Sequence, residues 1–369
     1  MGKFNFPVQK IVSFSFILRR LPTVFFPSGE NARIAKKLAG KSKFKQIQER
    51  LILLLLFRNE PDSYYRLALF MPERYERAGE YLDYRQQSYL NFLLNQKIDT
   101  INTEDKILFS ELCIRKNIPS PQILGLLNPL ETDQSELKSH LEGAAEKSGV
   151  FFKPRFGLKA QGAGRLSYRG MDQWSIKIGD EEAINITWEQ LFKKLESFNK
   201  PLIFQENLTN HPVLAEINPS ALHTIRLCTF RCKGELHVLD AILRLGKKGS
   251  QTDNMSTGGL GVPILLESQT LAAGGSEKNE DLPFSLKSLG PGEISFEGLT
   301  VPFFKEAVAL GFKVHNCFPE IFSLGHDIAI LPNGPVVIET NHIWGDSQEI
   351  FEHGLGANRF YIECILNVG

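Results

Sequence analysis

GHDIAILPNGPVVIETN, residues 325–341, reads as two short β-strands around a tight turn. Ile328, Ile330, Val336, Val337 and Ile338 supply the β-branched character that favours strands. Pro332 suits the first central position of a type I turn, and Gly334 suits the left-handed position that follows it. A three-residue Pro332-Asn333-Gly334 loop with a G1 bulge would set Leu331 opposite Pro335. Counting outward, Asp327 then faces Glu339. Asn341 returns to the same side because side chains alternate with period two. Three oxygen donors would meet at the mouth of one hairpin, a set that suits a hard cation such as Mg²⁺ beside substrate phosphates. A two-residue Asn333-Gly334 loop would put Asp327 and Glu339 on opposite faces. An ordinary hairpin with solvated carboxylates has the same text, so the rest of the chain must decide.

The 369 residues have room for two or three domains and a sizeable core. Basic and acidic residues balance at 42 each, but unevenly along the chain. Residues 1–50 hold eleven Lys or Arg against Glu30 and Glu49, a net charge of +9, interleaved with phenylalanines. That mixture fits a basic arm packed on the body, or a segment that contacts an anionic membrane surface. No recognition module accompanies it, so nucleic acid is not the expected partner. The five cysteines (Cys113, Cys228, Cys232, Cys317, Cys364) are odd in number and form no CxxC pair. This argues against a disulfide framework or structural zinc and for a reducing cytoplasm, with any membrane contact at its inner face. LILLLLF at 51–57 is too short to span a bilayer and reads as core. Arg19, Arg20 and Pro22 interrupt the apolar stretch 11–27.

Residues 45–97 carry Leu and Tyr at helical spacing. A helix is expected from near Thr103 to near Asn117, with Asp105-Lys106 at its start and an extended Ile118-Pro119-Ser120-Pro121 after it. Another is expected over Gln134–Lys147. VFFKPRFGLKAQGAGRLSY, 150–168, gives a strand delivering Lys153, then a loop with Arg155, Gly157, Lys159, Gly162 and Gly164, then a second strand. Such a loop can close backbone N–H groups over phosphates, although a plain flexible hairpin reads the same and no Walker A pattern is present. PLIFQENL, 201–208, is a strand ending in Gln205-Glu206, whose backbone could hold an adenine edge at a hinge. HTIRLCTF (223–230) and ELHVLDAILRL (235–245) pair around Lys233-Gly234. Arg226 and Arg244 lie among their apolar residues, where each needs an anion, from a ligand or from a structural salt bridge. DNMSTGGLGVPI, 253–264, adds Asn254 and Gly258-Gly259 before a strand. Helices are expected around 302–316 and over 347–366.

In this order the motifs resemble an ATP-grasp enzyme. TIR (224–226), Arg244, DN (253–254), GG (258–259), HD (326–327) and ETN (339–341) are similar to the ribosomal-protein glutamate ligase branch. The fuller wording, NPSALHTIRLCTF with ILRLGKKGSQTDNMSTGGLGVPI and GHDIAILPNGPVVIETN, more closely resembles the sugar-transfer-associated ATP-grasp family found with bacterial surface-polysaccharide genes. The resemblance covers residues 100–369 well and 45–100 loosely. It implies an α+β ATP-grasp fold, two lobes clasping ATP, with a largely helical N-terminal region. The implied divisions are an arm at 1–50, a pre-grasp domain at 51–140, lobe A at 141–206 and lobe B at 207–369.

Carried over residue by residue, Lys153 and Lys106 would contact phosphates, and Lys159, Gly162 and Gly164 would belong to the phosphate-covering loop. Gln205 and Glu206 would line the adenine hinge. Asp327, Glu339 and Asn341 would hold Mg²⁺ or Mn²⁺. Arg226, Arg244 and Asn254 would face the γ-phosphate and the reacting carboxylate. The implied reaction joins a small-molecule carboxylate to an amine through an acyl phosphate, with an amino acid and a sugar acid or cell-surface glycan precursor as substrates. A phosphotransferase on the same scaffold and a nucleotide-binding scaffold without turnover are the alternatives. Two departures lie beside the acceptor space: His326, where the family usually has an aromatic residue, and His342-Ile343-Trp344, where it usually has small ones.

Overall fold

Two antiparallel sheets follow a helical N-terminal region in the computed structural model. It describes residues 14–27, 29–95, 100–129, 131–157, 162–179, 181–219, 221–246, 250, 253, 259–277, 288–289, 294–345, 348–351 and 353–366. Helices Phe14–Val24, Gly29–Ala39, Lys43–Phe57 and Tyr84–Asn95 lead the chain, with shorter helical turns between the last two. Ser42 caps the third, its hydroxyl accepting from the Lys45 N–H at 3.2 Å. The LILLLLF run lies in this helix, and it is core on one side only. Leu53, Leu54 and Phe57 are buried, whereas Leu55 and Leu56 face out.

The first sheet holds β1 (Ile123–Leu127), β2 (Val150–Pro154), β3 (Gly164–Tyr168), β4 (Trp174–Ile178), β5 (Ile184–Ile186) and β6 (Leu202–Glu206), in the order β1-β6-β2-β3-β4-β5. Helices Gln134–Lys147 and Trp188–Glu196 cover it through Leu141, Leu191 and Leu195 against Phe152, Trp174 and Phe204. The first of these helices has the bounds the sequence predicts. Asp133 sets its start by accepting from the N–H groups of Ser135 and Glu136.

Gly164 opens β3 opposite Phe152 and Ile178, inside this sheet and not in a phosphate loop. A Cβ there would overlap the Lys177 carbonyl oxygen and stand 2.6 Å from the Phe152 ring. Gly164→Ala is expected to destabilise the protein by about 1–3 kcal/mol through overpacking. The measurement is the urea midpoint of unfolding, which should fall with an unchanged slope. A midpoint equal to that of the parent would show that the strand has room to spare.

The second sheet holds β7 (Thr224–Cys232), β8 (Glu235–Leu245), β9 (Leu260–Leu265), β10 (Thr270–Leu271), β11 (Ser276–Glu277), β14 (Ser323–Leu331) and β15 (Gly334–Asn341). Its order is β10-β9-β8-β7-β14-β15, with β11 also on β9; β12 (Ser288–Leu289) and β13 (Ile294–Ser295) pair separately. Helix Phe304–His315 packs on one face, where Leu310 and Val314 meet Leu227, Leu243, Ile328 and Val337. Part of the other face is covered by Trp344, Tyr361 and Ile362, which pack on Cys228 and Phe230. The remainder of that face carries polar residues beside Ile242, which packs with Ile350 and Phe351.

The C-terminal segment is not the continuous helix expected over 347–366. It forms two 3-10 turns, Gln348–Ile350 and Leu355–Ala357, and then helix Arg359–Leu366. Gly354 explains the break, because its backbone packs directly on the Glu80 carbonyl, where any Cβ would overlap. Gln348 fastens the same region to the N-terminal helices. Its side chain donates to the Leu82 carbonyl at 2.7 Å and accepts from the Leu82 N–H at 3.1 Å.

Cys232 at the end of β7 is joined by a disulfide to Cys364, 132 residues later, which corrects the expectation of unpaired cysteines. The pairing follows from tertiary packing, since Phe230 and Tyr361 bring strand and helix together with ring centroids 5.0 Å apart. Sequence spacing cannot register such a pair. Among the described residues no helix is long and apolar enough to cross a membrane.

Candidate active site

The β14–β15 hairpin places Asp327 opposite Glu339 and Gly325 opposite Asn341, by a route the sequence reading did not foresee. Leu331 pairs with Gly334, so the loop is the two residues Pro332-Asn333. Continued without interruption, that register would set Asp327 against Ile338. A bulge between Asp327 and Ile328 leaves Ile338 unpaired and shifts the count by one. The expected three-residue loop is therefore wrong, and the expected pairing arises because the shorter loop and the bulge compensate. The bulge lies where the inward apolar pair Ile328–Val337 gives way to the carboxylates.

The same alternation aligns a polar row across the sheet. Thr224 pairs with Arg244, and Arg226 pairs with Asp327, so all four share the face with Glu339. Arg244 Nη2 lies 3.0 Å from Asp327 Oδ2 and 3.4 Å from Asp253 Oδ1. It also donates to the Thr224 hydroxyl at 3.0 Å, and that hydroxyl donates to Asp253 Oδ2 at 2.5 Å. Arg226 Nε stands 2.8 Å from Asp327 Oδ1. Both arginines thus meet carboxylates of the chain itself. Burial alone would lower the Arg244 pKa, but Asp253, Asp327 and Glu339 outweigh it and raise it. Burial would likewise raise Glu339, but Lys153 and Lys106, with Arg226 and Arg244, hold its carboxyl at about 2. Asp327 goes the other way: burial pushes it up against the pull of the two arginines.

The two lysines come from different elements, Lys153 from the first sheet and Lys106 from a helix that packs through Phe109 and Cys113 in the second sheet's core. Lys153 on β2 is buried, and burial drops its ammonium to about 8, while Glu339 pulls it upward and Lys106 adds to the fall. Lys106 begins helix Lys106–Arg115. Asp105 caps that helix, with Oδ1 accepting from the Ile107 N–H at 2.9 Å. It also grips Arg155 with both oxygens, at 2.9 and 3.0 Å from Nε and 2.6 Å from Nη2. Arg155 immediately follows β2, so this clamp fixes the two lysine-bearing elements to each other. Lys106 Nζ donates to the Gly157 carbonyl at 3.0 Å.

Gln205 and Glu206 do not present an open backbone edge. β1 flanks Gln205 on one side and β2 flanks both residues on the other. Glu206 is further tied to Gln122, its N–H donating to the Gln122 carbonyl at 3.1 Å and its Oε1 accepting from the Gln122 N–H at 2.9 Å. Gly162 takes φ +80°, with Phe198 3.0 Å from where its Cβ would stand. Lys159 and Asn254 lie outside the described residues.

His326 does not border this site. One residue from Asp327, it faces the helix side of the sheet, fully buried. Its Nε2 is 2.9 Å from the Thr229 hydroxyl and its Nδ1 2.8 Å from that of Thr340. Burial depresses its pKa far below the ordinary value, with His315 and Arg226 adding to the effect. His342 acts as a fastener, with Nδ1 2.7 Å from the Thr103 hydroxyl and Nε2 3.8 Å from Glu104. It joins the end of β15 to the short helix Ile101–Glu104, just before Lys106.

Sequence reasoning missed Thr224, Asp253, Asp105 and Asp240. Asp240 sits in β8 opposite Cys228, buried, on the face of Arg226 and Arg244. Burial raises its carboxyl to about 7 against the opposing influence of Cys228 and Arg226, and its Oδ1 has no hydrogen-bond partner among the described residues. The signal was available, since an Asp inside VLDAIL breaks an apolar strand as Arg226 and Arg244 do.

Among the described residues no three His, Cys, Asp or Glu side chains converge into a metal cage. Two carboxylates and one amide on the hairpin fit a different case, a hard cation that takes its remaining oxygens from substrate phosphates.

A family model described as sugar-transfer associated ATP-grasp matches residues 84–357. No curated protein matches the sequence. Among solved structures, D-alanyl-alanine synthetase A from Vibrio cholerae is 12% identical with a TM-score of 0.40, covering 72% of this chain and 65% of that one. D-alanine–D-alanine ligase from Helicobacter pylori is 11% identical with a TM-score of 0.35, covering 72% and 57%. L-amino acid ligase from Bacillus licheniformis is 10% identical with a TM-score of 0.36, covering 78% and 49%. The chain spans from about half to under two thirds of the length of these proteins.

Proposed function

The chain belongs to the sugar-transfer-associated ATP-grasp family, and from that premise we propose that it binds ATP between its two sheets and spends it to join a carboxylate to an amine. The observation that supports this most is the meeting of Lys153 and Lys106 with Glu339, where Lys153 on the first sheet acts on carboxylates of the second. Lys153 and Lys106 bind the phosphates, and the chain after Glu206 borders the base. A Mg²⁺ or Mn²⁺ ion held by Asp327, Glu339 and Asn341 would neutralise the phosphate charge. Arg226 and Arg244 orient the substrate carboxylate, whose oxygen attacks the γ-phosphorus and releases ADP. They then stabilise the acyl phosphate until the amine displaces phosphate from the acyl carbon. Asp240, on the same face beside Arg226, receives the proton that the ammonium must lose before it attacks.

The family description points to a sugar acid or cell-surface glycan precursor as one substrate and an amino acid or simple amine as the other. The test is incubation with ATP, Mg²⁺ and pools of uronic acids and amino acids, followed by mass spectrometry. The expected product is lighter by one water than its two parents, with ADP and free phosphate released together. A phosphorylated acceptor without free phosphate would make the protein a phosphotransferase. ATP binding without turnover would make it a scaffold.

Lys153 provides a further prediction. Its pKa of about 8 lies below the usual 10.5. The unfolded chain therefore holds more protons between those values, so stability rises with pH through that window as the cost of burying a charge disappears. Nucleotide binding has the opposite sign, because phosphates favour the charged ammonium. ATP affinity should hold steady to about pH 7.5 and weaken by up to about tenfold per pH unit above about 8. Calorimetric titration across that range checks it, with Lys153→Arg expected to flatten the profile. A flat profile in the parent would remove Lys153 from the phosphates.

A further inference from the structure

Helix Lys43–Phe57 buries polar residues and exposes apolar ones. Gln46, Glu49 and Arg50 point inward and are fully buried. Arg50 donates to the carbonyls of Val24 and Thr23 at 2.7 and 2.8 Å. Glu49 accepts from Lys41 at 2.6 Å and from the Tyr64 hydroxyl at 2.7 Å. Its outward positions include apolar ones, with Phe44 79% exposed and Leu55 and Leu56 49% and 54% exposed. Phe44 and Leu55 stand at i and i+11, which places them on one helical face.

Helix Phe14–Val24 packs on this helix through Ile17, Val24 and Leu54 and repeats the pattern. Phe14 and Leu18, one turn apart, are 64% and 59% exposed, and Phe25 and Phe26 just beyond the helix are 51% and 80% exposed. The same two helices and the one between them carry exposed cations, Arg19, Arg33, Lys36, Lys37, Lys43 and Lys45. Glu30 is the single acid in residues 14–48. All of this precedes residue 84, where the family match begins.

We propose that this face docks on an anionic lipid bilayer, its phenylalanines and leucines entering the interface while the exposed lysines and arginines meet the headgroups. Charge selects the occupant. A second copy would set one cationic rim against another, whereas an anionic surface satisfies the rim and the apolar stripe together. The inference is independent of the proposed reaction.

The full chain is co-sedimented with phosphatidylglycerol–phosphatidylethanolamine vesicles and with phosphatidylcholine vesicles, at low and high salt. Binding at least about tenfold stronger to the anionic vesicles, weakening with salt, is expected. Phe25→Ser combined with Phe26→Ser and Phe44→Ser should reduce it by about tenfold or more, as should Lys36→Glu with Lys37→Glu. These side chains are exposed, so the melting temperature should not move. Equal or absent binding to the two vesicle types in the parent would overturn the proposal without recourse to any variant. So would a dimer in analytical ultracentrifugation that the phenylalanine changes dissolve, since the face would then belong to a second copy.

Discussion

Glu339→Gln is expected to lower ATP turnover by on the order of 10³-fold while the protein still folds. The carboxylate sits among Lys153, Lys106, Arg226 and Arg244, which hold it at about 2, so it is ionised at neutral pH. An amide keeps the shape but gives a cation a weaker ligand and leaves the four positive groups less balanced. Asp327→Asn should act in the same direction, because the two residues pair across the hairpin. ADP release in single-turnover experiments measures the loss, and far-UV circular dichroism shows whether the fold is intact. Full activity in either variant would exclude the hairpin from the chemistry. Glu339 also ties stability to pH. Its folded pKa lies below the usual 4.5, so its contribution is fully present above about 4.5 and is lost as pH falls toward 2. The variant's acid unfolding should lack that component.

Arg244→Met should destabilise the protein by about 3–5 kcal/mol, because it takes the counter-charge from buried Asp253 and leaves buried Asp327 with Arg226 alone. Arg244 meets both Asp253 and Asp327, and the Thr224 hydroxyl links it to Asp253 by a second path. Adding Asp253→Asn should restore part of the loss, since it removes the carboxylate that Arg244 no longer pairs. Denaturant unfolding of the two single variants and the double variant gives the coupling directly. A loss below about 1 kcal/mol in Arg244→Met, with no recovery in the double variant, would mean that water compensates the carboxylates and that the row is not structural.

Much of this architecture can be read from local text. Asp133 and the Gln134–Lys147 periodicity give the bounds of a helix, and Lys233-Gly234 marks the turn between β7 and β8. The convergence of Asp327 with Glu339 follows from the β-branched run and the turn residues, although the loop length inferred from them was wrong. What was not legible depends on contacts far along the chain. His326 was read as a neighbour of the acceptor, yet a period of two sends it to the opposite face, where Thr229 and Thr340 receive it. Gly164 looked like one of several loop glycines, and only the Lys177 carbonyl and the Phe152 ring on the neighbouring strands show why it must be glycine. Gln205-Glu206 has a strand's composition, but composition does not reveal that both of its edges are covered. The Cys232–Cys364 pair needs the packing of Phe230 on Tyr361 before the two sulfurs have any reason to meet.

The unpaired Ile338 leaves the hairpin with one residue of slack. Deleting it would close the bulge and bring Glu339 to the place after Val337, which the uninterrupted register sets opposite Asp327. Asn341 would still meet Gly325, and Thr340 would stay on the face of His326. A one-residue deletion here therefore keeps the three cation ligands together, whereas a substitution of Asp327 or Glu339 removes one outright. Residue identity at those positions, more than the length of the strand between them, is what this segment has to preserve.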